Sequence, residues 1–454
     1  MNEIPNNPNI LWIMTDQQSA DMMSCAGNTW LQTPNMDFLA DNGVRFANTW
    51  CGNPVCLPSR YGMITGTYPG DSKIKNNYDY QTIPPQTILD NGIGKLMTDA
   101  GYEALHGGKE HYAGVDSEGL GFKRLTFDDR EALADDCSQF IRRRSRAKPF
   151  FLTASFINPH DICYYGLDIY AEASGHPLFK TIHKDCSAVI NHIRELTKTF
   201  SESSSPPLPE NYHVPAGEAE AIGMYLQEEV YLDMIREGFT EETWRLHRQA
   251  YHRLTEVVDR QIGVVIDALK ETDQFDNTVI LFTSDHGEMG GSHRIDQKGY
   301  LYEECCRVPM IVKGLPGDKS NICNKSLVNN ALDSIPTILD YAGIRKPDHL
   351  PGLSLKQCVS KNEMLDRDYC IVESQNGVSA TDGQYKYARY VRGGNAEQFY
   401  DFSVNPGEMY NQIGEVQYSE RLTYLRNAVD RHIAERPVFN NYYREQCNAS
   451  EGFR

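Results

Sequence analysis

A cysteine four residues ahead of an arginine is the part of this sequence best suited to chemistry. Residues 56–60 read Cys-Leu-Pro-Ser-Arg. Pro58 can stand in the first turn of a helix, and the N-terminus of a helix favours negative charge nearby. Arg60, one turn farther along, can hold anionic oxygens. The segment predicts either a site for an anion at Cys56 or a buried structural cysteine before a helix.

Polar side chains also follow three apolar runs that we interpret as buried strands. Asp16 follows the first run, His160 comes shortly after the second, and Asp285 and His286 follow the third. Because parallel α/β sheets bind ligands at the carboxyl ends of their strands, these positions favour a site over simple loop caps. The three runs are residues 9–15, 150–157 and 277–284.

Helical periodicity separates these runs, so the sequence predicts an α/β fold with a mostly parallel sheet. Further elements in this part are strands at 43–50 and 308–312, and helices at 87–100, 241–271 and 332–341. After about residue 345 the pattern changes to short strands and one helix, which predicts a small antiparallel sheet. These elements are strands at 369–373, 385–391 and 398–401, and a helix near 419–435.

The change of pattern indicates two domains. We expect a catalytic domain over residues 1–345 and a smaller α+β subdomain over residues 346–454. Residues 162–239 are long, irregular and polar. We interpret them as an insertion of loops and short helices within the first domain, with the potential to recognise a substrate.

The composition is that of a soluble, acidic protein. The 454 residues include 44 basic and 62 acidic ones, for a net charge of -18. Such a surface repels nucleic acid and anionic membranes, so we expect neither as a partner, and an anionic substrate would need a local positive pocket. No apolar run suits a membrane span, and the first eight residues lack the features of a signal peptide. We therefore expect a cytoplasmic protein, or a periplasmic or exported one if the sequence has been trimmed.

The twelve cysteines show irregular spacing and no zinc-ligand pattern. Scattered cysteines in a large chain are usually buried free thiols. We predict this state for most of them, including the adjacent pair Cys305 and Cys306, and treat Cys56 as the exception.

The segment that begins at Cys56 resembles the sulfatase signature, Cys-x-Pro-Ser-Arg followed by a short helix and Thr-Gly. Other segments resemble further motifs of that family and follow the family's order along the chain. They are NILWIMTDQ (9–17), TPNMD (33–37), GVRF (43–46), GKEH (108–111), NPHD (158–161), TSDHGE (283–288), Lys298 with YE (302–303), and QFYD (398–401) with NPGE (405–408). The resemblance covers almost the whole chain and is weakest between residues 162 and 239.

The resemblance to formylglycine-dependent, type I sulfatases implies an alkaline-phosphatase-like fold. That fold has a large mixed, mostly parallel sheet flanked by helices, plus a smaller C-terminal α+β subdomain with a short antiparallel sheet. It also implies that a formylglycine-generating or sulfatase-maturing enzyme oxidises Cys56 to formylglycine, whose hydrate attacks sulfur and later releases sulfate.

The same resemblance implies one divalent cation bound by Asp16, Gln17, Asp285 and His286, together with the modified Cys56. Oxygen-rich ligands of this kind favour a hard ion, so we expect calcium, with magnesium or manganese as alternatives. The cation would neutralise charge on the sulfuryl oxygens during the reaction.

The remaining roles come from the resemblance as well. Lys109, His160 and Lys298 would bind the sulfate group, and Arg60 would hold the nucleophile and the metal-bound oxygens. His160 or Lys298 would support the leaving alcohol oxygen. His111 would take a proton from the second hydroxyl of the nucleophile, so the two histidines need different protonation states.

Two positions depart from the commoner family pattern. Many sulfatases have a second aspartate where this chain has Gln17, and many have asparagine where it has His286. Both variants also occur in relatives that hydrolyse phosphonate and phosphate esters, so a hydrolase of that kind is the alternative function. The intact set of chemical residues argues against a non-catalytic binding protein. By analogy with the family we expect a sulfated carbohydrate as substrate, while the sugar, the metal and the oligomeric state stay open.

Overall fold

The structure is a computed structural model that describes residues 7–174, 186–201, 205–437 and 439–441. The larger of its two sheets has eight strands. They are β1 (Asn9–Asp16), β2 (Val44–Trp50), β3 (Glu103–Gly108), β4 (Lys123–Thr126), β5 (Phe150–Pro159), β6 (Thr278–Ser284), β7 (Met310–Lys313) and β8 (Ile322–Asn329). Their order is β4-β3-β5-β1-β6-β7-β2-β8. β7 runs antiparallel to both of its neighbours, and the other pairs are parallel.

Helices cover both faces of this sheet, and most of them lie between its strands along the chain. Within the described residues the α-helices are α1 (Pro34–Asp41), α2 (Cys56–Thr65), α3 (Gln86–Asp90), α4 (Ile93–Asp99), α5 (Leu133–Arg143), α6 (Ile162–Ser174), α7 (Ser187–Thr197), α8 (Glu220–Glu228), α9 (Val230–Gly238), α10 (Glu241–Glu271), α11 (Glu303–Cys306), α12 (Asn330–Tyr341), α13 (Lys356–Lys361) and α14 (Ser419–Glu435). No helix in the described ranges combines the length and the apolar character that a bilayer crossing needs.

The central strand β1 is apolar from Ile10 to Met14 because both of its faces are covered. Ile10, Trp12 and Met14 pack on one side with residues of α2, α4 and α12. Leu11 and Ile13 pack on the other side with residues of α1, α5 and α10. Successive side chains of a strand point to opposite faces, so a continuous apolar run is what a doubly covered strand requires. The core therefore consists of two apolar layers with the sheet between them.

A smaller antiparallel sheet follows toward the C-terminus. Its strands are β9 (Cys370–Ser374), β10 (Gly377–Thr381), β11 (Tyr385–Tyr390) and β12 (Glu397–Asp401), in the order β12-β11-β10-β9. Helix α14 packs on this sheet, with Leu425 and Val429 against Val378, Tyr387 and Phe399. This apolar cluster gives the second sheet a core of its own.

Hydrogen bonds and an ion pair join the two sheets. The guanidinium of Arg367 donates to both carboxylate oxygens of Asp333 in α12, at 2.6 and 2.7 Å. The side chain of Asn329, which ends β8, donates to the carbonyl oxygen of Ile371 in β9 at 3.1 Å. The division of the chain into residues 1–345 and 346–454 stays a prediction, and residues 442–454 lie outside the described residues.

Most of the predicted elements are present, and the predicted fold class is confirmed. The predicted helix over 87–100 is wrong, because the chain forms two helices, α3 and α4, that are separated at Asn91 and Gly92. Gly92 is extended, and a β-carbon there would lie 2.7 Å from the carbonyl oxygen of Leu120. The two helices therefore meet at a glycine that a close approach of two backbones requires, although the apolar spacing along 87–100 is continuous.

Several strands were not predicted from the sequence, namely β3, β4, β8 and β10. β3 reads EALHGG and β8 reads ICNKSLVN, so neither shows a continuous apolar run. The predicted insertion over 162–239 contains the four helices α6 to α9 in its described part. Residues 175–185 and 202–204 of that insertion lie outside the described residues.

A buried carboxylate of α10 caps helix α1. The N-cap residue Thr33 makes no capping hydrogen bond with its side chain. Instead, Asp259 accepts hydrogen bonds from the backbone N–H groups of Asn35 and Met36, at 3.2 and 2.9 Å, and from the Asn35 side chain at 2.9 Å. The first turn of a helix has N–H groups without partners in the helix, and Asp259 satisfies them from a helix more than two hundred residues away.

Replacing Asp259 with alanine should therefore destabilise the protein. The two N–H groups would remain buried without an acceptor, at a cost of about 1–3 kcal/mol in the free energy of unfolding. Asp267→Ala is the matched control, because Asp267 lies on the same helix with a side chain that is 62% exposed. Urea unfolding followed by circular dichroism measures both variants. Equal stability of the two variants would show that the cap contributes nothing.

Candidate active site

Four neighbouring strands end in polar residues at the same edge of the large sheet. Asp16 is the last residue of β1, Asp285 follows β6, and His160 follows β5. Lys109 follows β3, which pairs with β5. The order β3-β5-β1-β6 places these residues side by side at the carboxyl ends of the strands. The predicted grouping of strand ends is therefore what the structure shows.

Four buried side chains form the centre of this edge. Ligand atoms of Asp16, Cys56, Asp285 and His286 all lie within 4.8 Å of one another. The Cys56 sulfur is 3.1 Å from His286 Nε2 and 3.7 Å from Asp16 Oδ1. His286 Nδ1 lies 2.8 Å from the carbonyl oxygen of Gly287, which assigns the ring proton to Nδ1. The Nε2 atom is then an acceptor or a metal ligand. These four residues are named the buried quartet below.

Helix α2 places Cys56 and Arg60 against the quartet. Every residue of α2 is buried, and Cys56 is its first residue. The Arg60 side chain has no exposed surface, and its Nε donates to Asp285 Oδ2 at 2.8 Å and to Asp16 Oδ2 at 3.1 Å. Its Nη1 donates to Ser155 Oγ at 2.7 Å and to the Lys109 carbonyl at 3.2 Å. One guanidinium thus bridges β1, β5, β6 and the loop after β3.

Lys109 reaches the quartet because Gly108 lets two strands approach closely. Gly108 has a left-handed backbone, and a β-carbon there would lie 2.2 Å from the carbonyl oxygen of Ser155. The Lys109 N–H donates to that same oxygen at 2.8 Å, and Lys109 Nζ lies 2.6 Å from Asp16 Oδ2. His111, also left-handed, is half-buried, and its Nδ1 has no hydrogen-bond partner among the described residues. The loop therefore brings a cation and an imidazole to the edge of the quartet.

The pKa values show how strongly these charges act on one another. Burial and the neighbouring Asp16 raise the pKa of Asp285 to about 6. Burial also raises the pKa of Asp16, but Lys109, His160 and Arg60 outweigh it and hold this pKa well below its usual range. Burial likewise raises the pKa of the Cys56 thiol, while Lys298, Lys109 and His286 lower it to well below the ordinary value. The site therefore stabilises negative charge at position 56 in a protein with a net charge of -18.

Lys298 and His160 differ in charge at neutral pH. Burial would lower the pKa of Lys298, but Cys163, Cys56 and Asp16 raise it well above its ordinary value. Burial lowers the pKa of His160 to about 4, with further lowering by Lys109 and Lys298. Lys298 is thus a permanent cation, and His160 is a neutral imidazole.

Gln17 lies next to the quartet in a fully hydrogen-bonded position. Its backbone is left-handed, with φ of 66°, and its N–H donates to Asp285 Oδ1 at 2.9 Å. Its carbonyl oxygen accepts from the Tyr251 hydroxyl at 2.7 Å. The side-chain oxygen accepts from Lys298 Nζ at 2.5 Å, and the side-chain nitrogen donates to Glu288. The role of Gln17 as a metal ligand stays a prediction.

The residues of the quartet fit a divalent cation. Asp16 and Asp285 are two buried carboxylates close enough for one to raise the pKa of the other, which is the repulsion that a cation relieves. Carboxylate oxygens suit calcium, magnesium and manganese, and an imidazole nitrogen such as His286 Nε2 suits transition metals. The donor set therefore supports a metal centre, and the identity of the ion stays open.

Sequence reasoning missed three side chains that shape the site. Ser155 contacts Arg60, Cys163 Sγ lies 3.1 Å from Gln17 Oε1, and Glu288 accepts from the Gln17 amide. Glu288 was part of the recognised segment 283–288, but nothing marked its role. Ser155 lies within a predicted strand and Cys163 at the start of the insertion, so neither had a local signal. The described cysteines are all free, as predicted.

Comparisons with known proteins decide the family. A sequence model described as Sulfatase matches residues 8–344, and a second model, N-sulphoglucosamine sulphohydrolase, C-terminal, matches residues 291–435. The chain belongs to the sulfatase family. This confirms the predicted family and the prediction of a sulfuric ester hydrolase with the alkaline-phosphatase-like fold.

Similar sulfatases cover nearly the whole chain. A Delta 4,5-hexuronate-2-O-sulfatase of Bacteroides thetaiotaomicron is 28% identical over 94% of this chain and 89% of its own length. An arylsulfatase of Clostridium perfringens is 26% identical over 94% of this chain and 95% of its own length. A solved structure of a 2-O GAG sulfatase has a TM-score of 0.78 and 25% identity, over 97% of this chain and 94% of that one.

The fold is also shared with an enzyme of the alternative function. The phosphonate monoester hydrolase of Agrobacterium radiobacter has a TM-score of 0.72 and 20% identity, over 94% of this sulfatase and 96% of that chain. At this identity the likeness concerns the fold alone.

Removing the Arg60 guanidinium should destabilise this sulfatase strongly. Arg60→Met leaves Asp285 as a buried charge without its cation, which costs about 3–5 kcal/mol in the free energy of unfolding. Arg60→Lys should lose less, because it keeps the charge but cannot span both carboxylates and Ser155. Denaturant unfolding in the presence of a chelator measures this without interference from bound metal. A methionine variant as stable as the lysine variant would contradict the assigned role.

Proposed function

We propose that this sulfatase releases inorganic sulfate from sulfated carbohydrates, with formylglycine at position 56 as the nucleophile and one divalent cation in the buried quartet. The observation that carries the proposal is the quartet itself, in which a thiol, two carboxylates and an imidazole share one small buried volume. Three cationic side chains, Arg60, Lys109 and Lys298, surround it.

Formylglycine at position 56 would supply the nucleophile. The divalent cation, held by Asp16, Gln17, Asp285 and His286, would neutralise charge on the sulfuryl oxygens. Lys109 and Lys298 bind the sulfate oxygens, because both are cations beside the quartet. Arg60 keeps the two carboxylates and α2 in register, and so fixes the direction in which position 56 points. Preorganised positive groups of this kind stabilise developing negative charge without reorganising.

The two histidines take different roles. His160, with its pKa lowered to about 4, is neutral at pH 7 and donates a hydrogen bond to the oxygen of the leaving alcohol. Lys298 supports that oxygen as a permanent cation. His111 lies beside position 56 on the loop that follows β3. It takes the proton of the second hydroxyl of the nucleophile when sulfate is released.

Relatives support the carbohydrate part of the proposal. One sequence relative acts on hexuronate 2-O-sulfate, as its name states, and a similar solved structure is a GAG sulfatase. The first test is an ion-chromatography screen for sulfate released from defined sulfated mono- and disaccharides. Release of sulfate from none of them, by enzyme whose formylglycine has been verified, would refute the carbohydrate proposal.

Maturation requires a partner enzyme in this proposal. Cys56 has no exposed surface, and the helix that it begins is buried along its whole length. We expect a formylglycine-generating or sulfatase-maturing enzyme to act before α2 has packed against the sheet. Mass spectrometry of the tryptic peptide that contains Cys56, after expression with and without such an enzyme, tests this step.

Hydrolysis of phosphonate or phosphate esters is the second candidate. Gln17 supports it best, because a neutral ligand there leaves the site about one charge unit more positive than the second aspartate of many sulfatases would, and His286 is the other position shared with relatives of that kind. Rates with nitrophenyl sulfate and with a nitrophenyl phosphonate ester, measured on the same matured enzyme, separate the two. Faster turnover of the phosphonate at equal concentration would favour the second candidate.

Changing Cys56 should abolish turnover without unfolding the protein. Cys56→Ala cannot be converted to formylglycine, so sulfate release should fall to the background rate. Cys56→Ser should react at most once, because a serine ester lacks the second hydroxyl that expels sulfate. Activity assays and intact-mass spectrometry measure the two effects, and circular dichroism checks the fold. Full turnover by either variant would refute the formylglycine mechanism.

Removing an anionic ligand should remove the metal. Asp16→Ala and Asp285→Ala each delete one buried carboxylate of the quartet, so both should lose most of the bound divalent cation and of the activity. Elemental analysis of dialysed protein is the measurement. Asp267→Ala, an exposed carboxylate on α10, is the control that should keep its metal. Stoichiometric metal in both quartet variants would place the metal centre elsewhere.

A further inference from the structure

The Gln17 carboxamide lies between a buried cation and a buried carboxylate. Gln17, Lys298 and Glu288 are 0%, 7% and 2% exposed. The amide oxygen accepts from Lys298 Nζ at 2.5 Å and from the Cys163 thiol at 3.1 Å, whereas the amide nitrogen donates to Glu288 Oε2. A reversed amide would place N–H groups against the ammonium and an oxygen against the carboxylate. The two charges therefore allow one orientation of the amide.

Glu288 is held rigidly and also holds the segment that carries Lys298. Its Oε1 accepts from the backbone N–H groups of Gly290 at 2.9 Å and Gln297 at 2.8 Å. Gln297 directly precedes Lys298, and its backbone is left-handed, with φ of 65°. The Glu288 N–H donates to Ser19 Oγ at 3.0 Å. One carboxylate thus positions both Gln17 and the backbone next to Lys298.

We propose that Glu288 is a positioning residue that orients the Gln17 carboxamide and requires a neutral side chain at position 17. A carboxylate at position 17 would lose the N–H that Glu288 accepts and would bring two buried carboxyl groups together, which repel each other whenever both are ionised. Glu288 therefore favours glutamine at position 17. An aspartate at that position would make the cation site more negative. The consequence for substrate choice rests on the proposed function, whereas the pairing of the two residues does not.

Exchanging the two side-chain types keeps the net charge of the protein but moves one negative charge. In Gln17→Asp combined with Glu288→Gln, the carboxylate moves from position 288 to position 17. There it is closer to Lys298 and to the quartet. The new pair can hydrogen-bond again, because the amide introduced at position 288 can donate to the carboxylate introduced at position 17. A carboxylate nearer to the transferring group repels a dianionic ester more than a monoanionic one.

The test compares aspartate and asparagine at position 17, since these two side chains have the same size and differ in charge. With Glu288 present, Gln17→Asn should be more stable than Gln17→Asp. With Glu288→Gln in the background, this order should reverse. The double variant Gln17→Asp/Glu288→Gln should have a folding equilibrium constant about tenfold above that expected from the two single changes. Urea unfolding of chelator-treated protein gives these values and needs no catalytic turnover.

Glu373→Gln is the matched control for exchanging a buried glutamate. Glu373 is 1% exposed and hydrogen-bonds to His432 and to the Gly70 N–H, so it has no contact with Gln17 to lose. Its effect should simply add to that of Gln17→Asp. If Gln17→Asp alone does not fold but folds together with Glu288→Gln, the pairing is supported. The proposal is overturned if the effects of Gln17→Asp and Glu288→Gln on the free energy of unfolding are additive and Gln17→Asn stays more stable than Gln17→Asp in both backgrounds.

Two further measurements separate positioning from a purely structural role. The double variant should bind the divalent cation more tightly than the parent enzyme in a competition titration, because the site gains an anionic ligand. Its ratio of kcat/KM for nitrophenyl sulfate to that for nitrophenyl phosphate should rise by about tenfold or less, in line with a single displaced charge. Unchanged metal affinity and an unchanged ratio would overturn the orienting role of Glu288 toward the site. If the parent enzyme releases no sulfate, the proposed function is wrong. The stability coupling between positions 17 and 288 would still decide whether the two residues are paired.

Discussion

The close approach of two buried carboxylates is the constraint on which the site depends. Asp16 ends β1 and Asp285 follows β6, and the register of these adjacent strands, with Thr15 opposite Ser284, brings the two carboxylates together. Burial of like charges in contact is unfavourable unless cations compensate for it. Arg60 provides that compensation from α2, with 2.8 and 3.1 Å contacts to the two residues. Helix α2, which carries Arg60, is buried along its whole length, and its packing brings Cys56 to the quartet.

A positive centre inside an acidic protein follows from the same arrangement. The net charge of -18 belongs mostly to exposed groups, whose effect on the buried site is weakened by water and salt. Arg60, Lys109 and Lys298 act within a few ångströms in a site with little solvent, where each charge has a larger effect. The local field therefore favours an anion at position 56, although the protein as a whole repels anions.

The sequence predicted the parts of the fold that depend on one continuous run of residues. β1, β5 and β6 are buried along their whole lengths and read as mostly apolar segments. β3 was missed because EALHGG contains a charge, a histidine and two glycines, and it belongs in the sheet only because β4 and β5 pair with it. The helix predicted over 87–100 divides at Gly92, where the backbone of Leu120 leaves no room for a β-carbon. Both errors concern contacts between segments that a local pattern does not contain.

The family, the fold class and the set of chemical groups, from Cys56 and Arg60 to the polar residues at the strand ends, could all be predicted from the amino-acid sequence. These properties depend on residue types and on spacing along the chain. Which of these groups are in contact became visible in the three-dimensional arrangement. It placed Glu288 against Gln17, across 271 positions of sequence, and Arg60 against Asp285, across 225. The physical reason is that the direction of an amide or the pairing of a buried charge depends on neighbours in space, which sheet order and strand register create.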